Sequence, residues 1–322
     1  MGEFDLIARH FTRAAPSGSA VVLGVGDDGA LLQPTPGHQL VISSDMLVEG
    51  RHFFPGADPE RLGHKALAVN LSDLAAMGAR PIGFTLALAL PEADDTWLAG
   101  FAKGLFALAD ACACPLVGGD TTRGPLNLCI TVFGEVLPGR ALRRDAALPG
   151  DDLWLSGRTG EARLALALRR GEAWARGDLA SVAERMDRPT PRLALGQALA
   201  GIDGVHAALD VSDGLLGDLG HILRASGVGA DVFVDALPVA PALRGLDERH
   251  RLDCMVAGGD DYELLFSAST ASAPHIDRIG TELGLNVTRI GRLVPAEGLR
   301  LIDATGQSRL AQPLGFDHFG SH

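Results

Sequence analysis

Gly118-Gly119-Asp120-Thr121-Thr122-Arg123-Gly124 follows the apolar run Pro115-Leu116-Val117. Read as a strand opening into a glycine loop, it presents the Asp120 carboxylate among residues of little side-chain bulk. The same arrangement, a short apolar run and then carboxylates, recurs in Val25-Gly26-Asp27-Asp28, Ile42-Ser43-Ser44-Asp45, Leu209-Asp210-Val211-Ser212-Asp213 and Gly258-Gly259-Asp260-Asp261. One Gly-Asp pair is ordinarily a turn or a helix cap. Repetition after separate apolar runs predicts another use. Together with Asp73 on a helix, these aspartates are expected to converge on divalent metal ions that hold a nucleotide triphosphate.

Two like charges about 4 Å apart repel by about 4 kcal/mol at an effective dielectric of ~20. Gathered carboxylates therefore need cations, and a triphosphate beside them adds to the repulsion. Divalent ions that bridge protein and phosphate oxygens answer both needs. Magnesium suits an oxygen-only donor set such as Ser43-Ser44-Asp45, and the scarcity of His and Cys beside the aspartates disfavours zinc. No GxxxxGK[ST] loop is present, and neither lysine, Lys65 or Lys103, lies in a glycine-rich phosphate loop. Arg123 and Arg144 are the candidates to help the metal with phosphate charge. Gly24-Val25-Gly26-Asp27-Asp28-Gly29 matches GxGxxG formally. Pro34 and Pro36 leave no room for the helix that motif requires, and two carboxylates stand where a pyrophosphate needs backbone N–H groups.

The chain has 322 residues, enough for two domains of ordinary size, and 47% of them are apolar. A net charge of −12 argues against nucleic acid and anionic membrane as partners. Glu3 and Asp5 stand where a signal peptide would be basic, and the longest apolar stretch, Phe84 to Leu90, is too short to cross a bilayer. Cys112, Cys114, Cys129 and Cys254 lack zinc spacing and read as free thiols of a cytoplasmic protein.

Outward from the central stretch, patterning predicts mixed α/β (α+β) structure. Phe4, Ile7 and Phe11 share a helical face. Strands are expected over 21–25, 40–42, 82–90 and 126–136. Asp58-Pro59-Glu60 starts a helix that should reach about Met77 and stop at Gly78, with Leu67, Leu71, Leu74 and Ala75 buried and Asn70 and Asp73 on one face. Another helix starts near Asp94-Asp95-Thr96. Pro138-Gly139 and Pro149-Gly150 bracket a basic connector with Arg140, Arg143 and Arg144, which divides the chain into domains 1–138 and 150–322. The second domain reads as a strand at 153–155, a helix over 161–170, a polar stretch, and a helix after Pro191. Then come a strand into Asp210, a helix from Leu215, strands near 232, 264, 287 and 299, and a helix near 275–283.

In family order, Gly26-Asp27-Asp28, residues 43–50 (SSDMLVEG), His52-Phe53, 65–81 (KALAVNLSDLAAMGARP), 118–124 (GGDTTRG), 210–218 (DVSDGLLGD), 259–265 and 315–319 resemble thiamine-monophosphate kinase, of the superfamily that includes aminoimidazole ribonucleotide synthetase. The resemblance spans nearly the whole chain. It implies a two-domain fold whose N-terminal domain forms a shared β-barrel in a homodimer. It implies transfer from MgATP to thiamine monophosphate, direct and in line, with several Mg2+ ions. By motif, Asp28, Ser43, Ser44, Asp45, Asp73, Asp120, Asp210 and Asp213 would hold metal, with Asp28, Asp73 and Asp210 at the catalytic centre. Gly119, Asp120, Arg144 and Ser212 would meet ATP. His52, Glu263 and Phe316 would meet thiamine monophosphate, the last by stacking on a flat cationic ring. Two alternatives stand beside this: another ATP-dependent synthetase of the superfamily, and a non-catalytic metal- and nucleotide-binding module. Against a selenophosphate synthetase, no cysteine precedes Cys112.

Overall fold

Capping and alternation explain most of the elements. The computed structural model describes residues 2–311 and divides into two units, Met1–Leu74 with Ala79–Gly139, and Ala75–Gly78 with Arg140–His322. The first unit carries α1 (Glu3–His10), β1 (Val21–Leu23), β2 (Leu31–Leu32), β3 (Gln39–Val48), α2 (Pro59–Ala76), β4 (Arg80–Leu90), α3 (Asp95–Ala111), β5 (Leu116–Arg123) and β6 (Asn127–Val136). Asp58 caps α2 by accepting from Arg61 N at 2.9 Å, and Asp94 caps α3 by accepting from Thr96 N at 2.8 Å.

Strands β1 and β2 pair with each other, and the other four form a sheet in the order β3-β6-β4-β5, parallel only between β4 and β5. Two expectations are corrected here. Ser43-Ser44-Asp45 does not follow a strand; it lies inside β3, which pairs with β6 from Gln39 to Val48. Gly118 to Arg123 is not a loop either, because it pairs in parallel with Thr85 to Leu90. Ladder bonds from β4 override the weak strand preference of the glycines. A Cβ on Gly119 (φ +152°) would lie 1.9 Å from the Leu86 carbonyl oxygen, so the two strands approach this closely only with glycine there.

One face of this sheet buries Phe84, Leu88, Leu128, Ile130 and Val132. Helix α2 belongs to that face: a Cβ on Gly134 would come 2.9 Å from Leu74 Cδ2, and polar bonds tie the helix to β3. Helices α2 and α3 cross at glycines, where a Cβ on Gly63 would lie 2.1 Å from Phe101 O and one on Gly104 1.8 Å from Glu60 O. The opposite face of β3 leaves Leu40, Ile42 and Met46 exposed at 52%, 59% and 54%.

The second unit continues with β7 (Asp152–Ser156), α4 (Glu161–Arg170), α5 (Leu179–Asp187), α6 (Leu193–Ala200), β8 (Val205–Asp210), α7 (Leu215–Ser226), β9 (Gly229–Phe233), α8 (Glu248–Ala257), β10 (Leu264–Ala268), α9 (Ala273–Glu282), β11 (Val287–Val294), β12 (Leu299–Ile302) and β13 (Ser308–Ala311). Its sheet runs β13-β12-β9-β11-β7-β10-β8, with β12 and β9 parallel and the other pairs antiparallel. The core strands β7 and β10 are buried along their length, as their near-continuous apolar sequences require. The polar stretch after α4 contains α5, capped by Asp178, and α8 is capped by Asp247. Neither sheet closes into a barrel among the described residues.

Candidate active site

Strand alternation sorts the Ser43-Ser44-Asp45 run. Ser43 Oγ donates to Asp73 Oδ2 at 2.5 Å, and Asp45 N donates to Asn70 Oδ1 at 3.0 Å. Asn70 is buried, and its Nδ2 donates to Ala66 O at 2.9 Å, which fixes the amide. Ser43, Asp45, Asn70 and Asp73 therefore gather where β3 meets α2. Ser44 points to the opposite face, where its Oγ donates to Ile130 O at 3.1 Å and lies 3.0 Å from Thr131 Oγ1. Asp28 is exposed on the loop after β1, its N–H donating to Asp27 Oδ1 at 2.8 Å. Asp120 and Gly119 are exposed on β5. His52 Nδ1 accepts from Val48 N at 2.9 Å, which places the proton of the neutral ring on Nε2.

In the second unit Asp210 ends β8, buried, and pairs with Leu264 of β10. The loop that follows leads into α7, whose N-cap is Gly214. Asp218, one turn into α7, accepts from the N–H groups of Ser212, Asp213 and Gly214 at 3.0, 3.0 and 3.1 Å, all on Oδ2. Burial pushes its carboxyl up to about 6 against the pull of these bonds. The carbonyls of Val211 and Ser212 accept from Tyr262 N and Asp260 N, both at 2.8 Å. Asp260 and Tyr262 have φ of 66° and 51°, left-handed values that cost a non-glycine residue about 1 kcal/mol or more. Between them Asp261 is fully buried, accepts from Gly160 N at 2.9 Å on each oxygen, and is pushed well up by burial.

Glu263 is 0% exposed. It accepts from Ser156 Oγ at 2.6 Å, Arg185 at 2.5 Å and Arg192 at 2.7 and 2.5 Å, so this chain's own donors engage both of its oxygens. A Cβ on Gly157 would lie 2.1 Å from Glu263 Oε1, so the turn there needs glycine. Arg144 is exposed, its carbonyl held by Ser226 Oγ at 2.9 Å. Burial lowers the pKa of His221, the charges of Arg224 and Arg144 lower it further, and Asp213 opposes them. Arg144 and Asp213 thus act on the same stretch of α7. Phe316 lies outside the described residues. Sequence reasoning passed over Arg185, Arg192, Ser156 and the role of Asp218. Only Asp218 had a visible signal, a carboxylate one turn past the Asp-Gly that opens a helix.

Among the described residues, no three His, Cys, Asp or Glu side chains are grouped so as to hold a metal ion. Within the first unit the reason is sheet order. β3 and β5 are the outer strands, about 14 Å apart at ~4.8 Å per strand. Asp45 pairs with Ile130 on the face toward α2, whereas Asp120 pairs with Ala87, in the row of Cys129 and Met46 on the other face. The donor chemistry still fits a hard divalent ion, since hydroxyl and carboxylate oxygens, with no thiol or imidazole, meet at Ser43 and Asp73.

Comparison with known proteins places the chain in a family. Residues 26–136 match the N-terminal domain of the AIR synthase related proteins, and residues 149–304 match their C-terminal domain. Thiamine-monophosphate kinase of Salmonella typhimurium is 45% identical over 324 residues, with 99% of each chain covered. The crystal structure of thiamine-monophosphate kinase from Stenotrophomonas maltophilia is 47% identical, with a TM-score of 0.83 over 92% of this chain and 94% of that one. AaThiL complexed with AMPPCP and TMP is 28% identical, with a TM-score of 0.76 over 99% of this chain and 97% of that one. With identity of this order sustained from end to end, over both matched domains, the chain belongs to the thiamine-monophosphate kinases of the AIR synthase related family.

Proposed function

We propose that this chain transfers the γ-phosphoryl group of ATP to thiamine monophosphate, giving thiamine diphosphate and ADP. The observation that carries this reading is the full-length similarity to thiamine-monophosphate kinases, joined by a relative complexed with AMPPCP and TMP that covers 99% of this chain. A phosphate oxygen of the acceptor is already a nucleophile, so the protein needs no base for it. Positioning and charge neutralisation then carry a direct in-line transfer.

Magnesium held by Asp28, Ser43, Ser44, Asp45, Asp73, Asp120, Asp210 and Asp213 would supply neutralisation of the triphosphate charge. Ser43, Asp45 and Asp73 would serve an ion on the α2 side of the four-stranded sheet, and Ser44 and Asp120, whose side chains stand on its other side, would serve a separate one. Gly119 lets backbone come close to the nucleotide, and Ser212 and Arg144 offer it a hydroxyl and a cation. His52 donates from Nε2 to the acceptor phosphate. Glu263 and Phe316 are assigned to the thiamine side, with Glu263 anchored by Arg185, Arg192 and Ser156. The same reading makes the enzyme a homodimer joined through the exposed face of the four-stranded sheet, where two such sheets would complete a shared barrel.

The test is ADP release from MgATP. Release should require thiamine monophosphate, and Asp45→Asn should lower it by orders of magnitude while the circular dichroism stays unchanged. Release that ignores thiamine monophosphate, or that is equal with aminoimidazole precursors, overturns the assignment. A wild-type rate in Asp45→Asn removes the metal role of that carboxylate.

A further inference from the structure

We infer that Asp218 is a positioning residue for this reaction: its carboxylate fills the backbone cradle formed by Ser212, Asp213 and Gly214 and holds that loop in its working conformation. The inference rests on the reading above, in which Asp210, Ser212 and Asp213 meet metal and nucleotide. A carboxylate in the first turn of a helix ordinarily reaches back to the backbone N–H of the N-cap residue. Asp218 does more. Gly214 is the N-cap of α7 and has no side chain to offer, and the three N–H groups that Asp218 accepts belong to the loop up to and including that cap. Two of its three bonds therefore go into the loop ahead of the helix.

Successive N–H groups aimed at one point form a concavity suited to an anion, and such nests commonly take a phosphate oxygen. Here the chain supplies the anion itself, with one oxygen receiving all three donors at 3.0 to 3.1 Å. The carbonyl side of the same loop is taken up as well, by Asp260 N and Tyr262 N at 2.8 Å. Gly214 (φ +123°) passes so close to Ala257 that a Cβ would lie 3.0 Å from its carbonyl carbon. A loop bonded on both edges and packed at its end has one conformation. Deleting the Asp218 carboxylate leaves three N–H groups, one of them buried, without their acceptor.

The test uses Asp218→Ala and Asp218→Asn in the full chain, with three readouts. Amide hydrogen exchange at residues 212–214 should be at least tenfold faster in the alanine variant. Its affinity for MgAMPPCP, measured by calorimetry, should fall at least tenfold, and KM for ATP should rise in parallel while KM for thiamine monophosphate stays within twofold. Sodium formate, small enough to replace the missing carboxylate, should restore much of that affinity in the alanine variant and do nothing to wild type. The asparagine variant should fall between, because its carbonyl oxygen can accept the three N–H groups without the charge. A role confined to stability would lower the melting temperature and leave formate without effect on nucleotide affinity. The inference is overturned if the folded alanine variant shows wild-type exchange at 212–214 and wild-type affinity, or a loss that formate leaves unchanged. If the alanine variant does not fold, unchanged MgAMPPCP affinity in the asparagine variant overturns it. Exchange and AMPPCP binding do not depend on the acceptor, so failure of the thiamine monophosphate assignment would be seen separately.

Discussion

Glu135 is buried near the end of β6 and ionised nonetheless. It accepts from Thr35 N at 2.8 Å and Thr35 Oγ1 at 2.7 Å, and pairs with Arg80. Burial works to raise its carboxyl, and the bonds from Thr35 and Arg80 outweigh it, so the folded group sits below the usual glutamate range. The sign for stability follows. The folded state binds this proton less tightly than the unfolded chain does, so the contribution is present above the unfolded value of about 4.3 and is lost as pH falls through the folded value. Glu135→Gln should therefore cost about 1–3 kcal/mol at neutral pH, and its deficit against wild type should shrink below about pH 4. Urea unfolding of both proteins at several pH values checks this; a deficit independent of pH would show that the charge is not what matters. Residue identities of this kind were only partly legible in the sequence. Asn70 and Asp73 on one face of a helix followed from spacing alone, and α2 presents both to β3. That Ser44 faces away from Ser43 and Asp45 was hidden, because it depends on the strand continuing to Val48. That Glu263 would be enclosed by Arg185 and Arg192 was hidden too, since those partners are 78 and 71 residues away.

Among the elements, the crossing of α2 and α3 sets two effects of opposite sign against each other. Gly104 lies inside α3, where alanine is intrinsically the better helix former by about 1 kcal/mol. Its Cβ would, however, lie 1.8 Å from Glu60 O, a backbone atom that no side-chain rotation can move aside. Forcing the helices apart costs about 1–3 kcal/mol in a packed core and loosens the contact at Gly63 as well. The steric term wins, so Gly104→Ala should lower the urea midpoint, whereas helix propensity alone would raise it. Unfolding curves for the variant decide between the two. Elements with a cap and an apolar face, such as α2 behind Asp58 and Pro59, were legible from their own residues. Helices α5 and α8 were not, although Asp178 and Asp247 cap them: α5 is only nine residues long and follows the charged stretch Arg176-Gly177-Asp178, while α8 opens on Glu248-Arg249-His250-Arg251 and has little apolar face. The strand at Gly118 to Arg123 was hidden for another reason: glycine carries no strand preference of its own, and β4 imposes the conformation.

At the scale of the whole molecule, the order of motifs announced a two-domain AIR synthase-like chain, which the matched families agree with. The places the aspartates take could not be read, because sheet order is not local: nothing near Asp45 or Asp120 says that their strands are the two edges of one sheet. The same sheet raises the last question. Its α2-facing side is covered, while the other side presents Leu40, Ile42 and Met46 in an alternating row on β3, more than half exposed, next to the partly exposed Phe133 and Cys129 of β6. A sheet in water ordinarily turns polar residues to its open face, so an aliphatic row there signals a surface that is covered in the working protein. A second copy is the occupant that the homodimer reading supplies, with each row meeting its equivalent across a two-fold axis. Ile42→Asp places two carboxylates near that axis in every pair, and because Ile42 is 59% exposed in the single chain, the substitution disturbs no core. Sedimentation at about 10 μM protein should find wild type as a dimer and Ile42→Asp as a monomer with unchanged circular dichroism. A wild-type chain that sediments as a monomer at that concentration, or a variant that remains dimeric, would mean that this face is not where two copies meet.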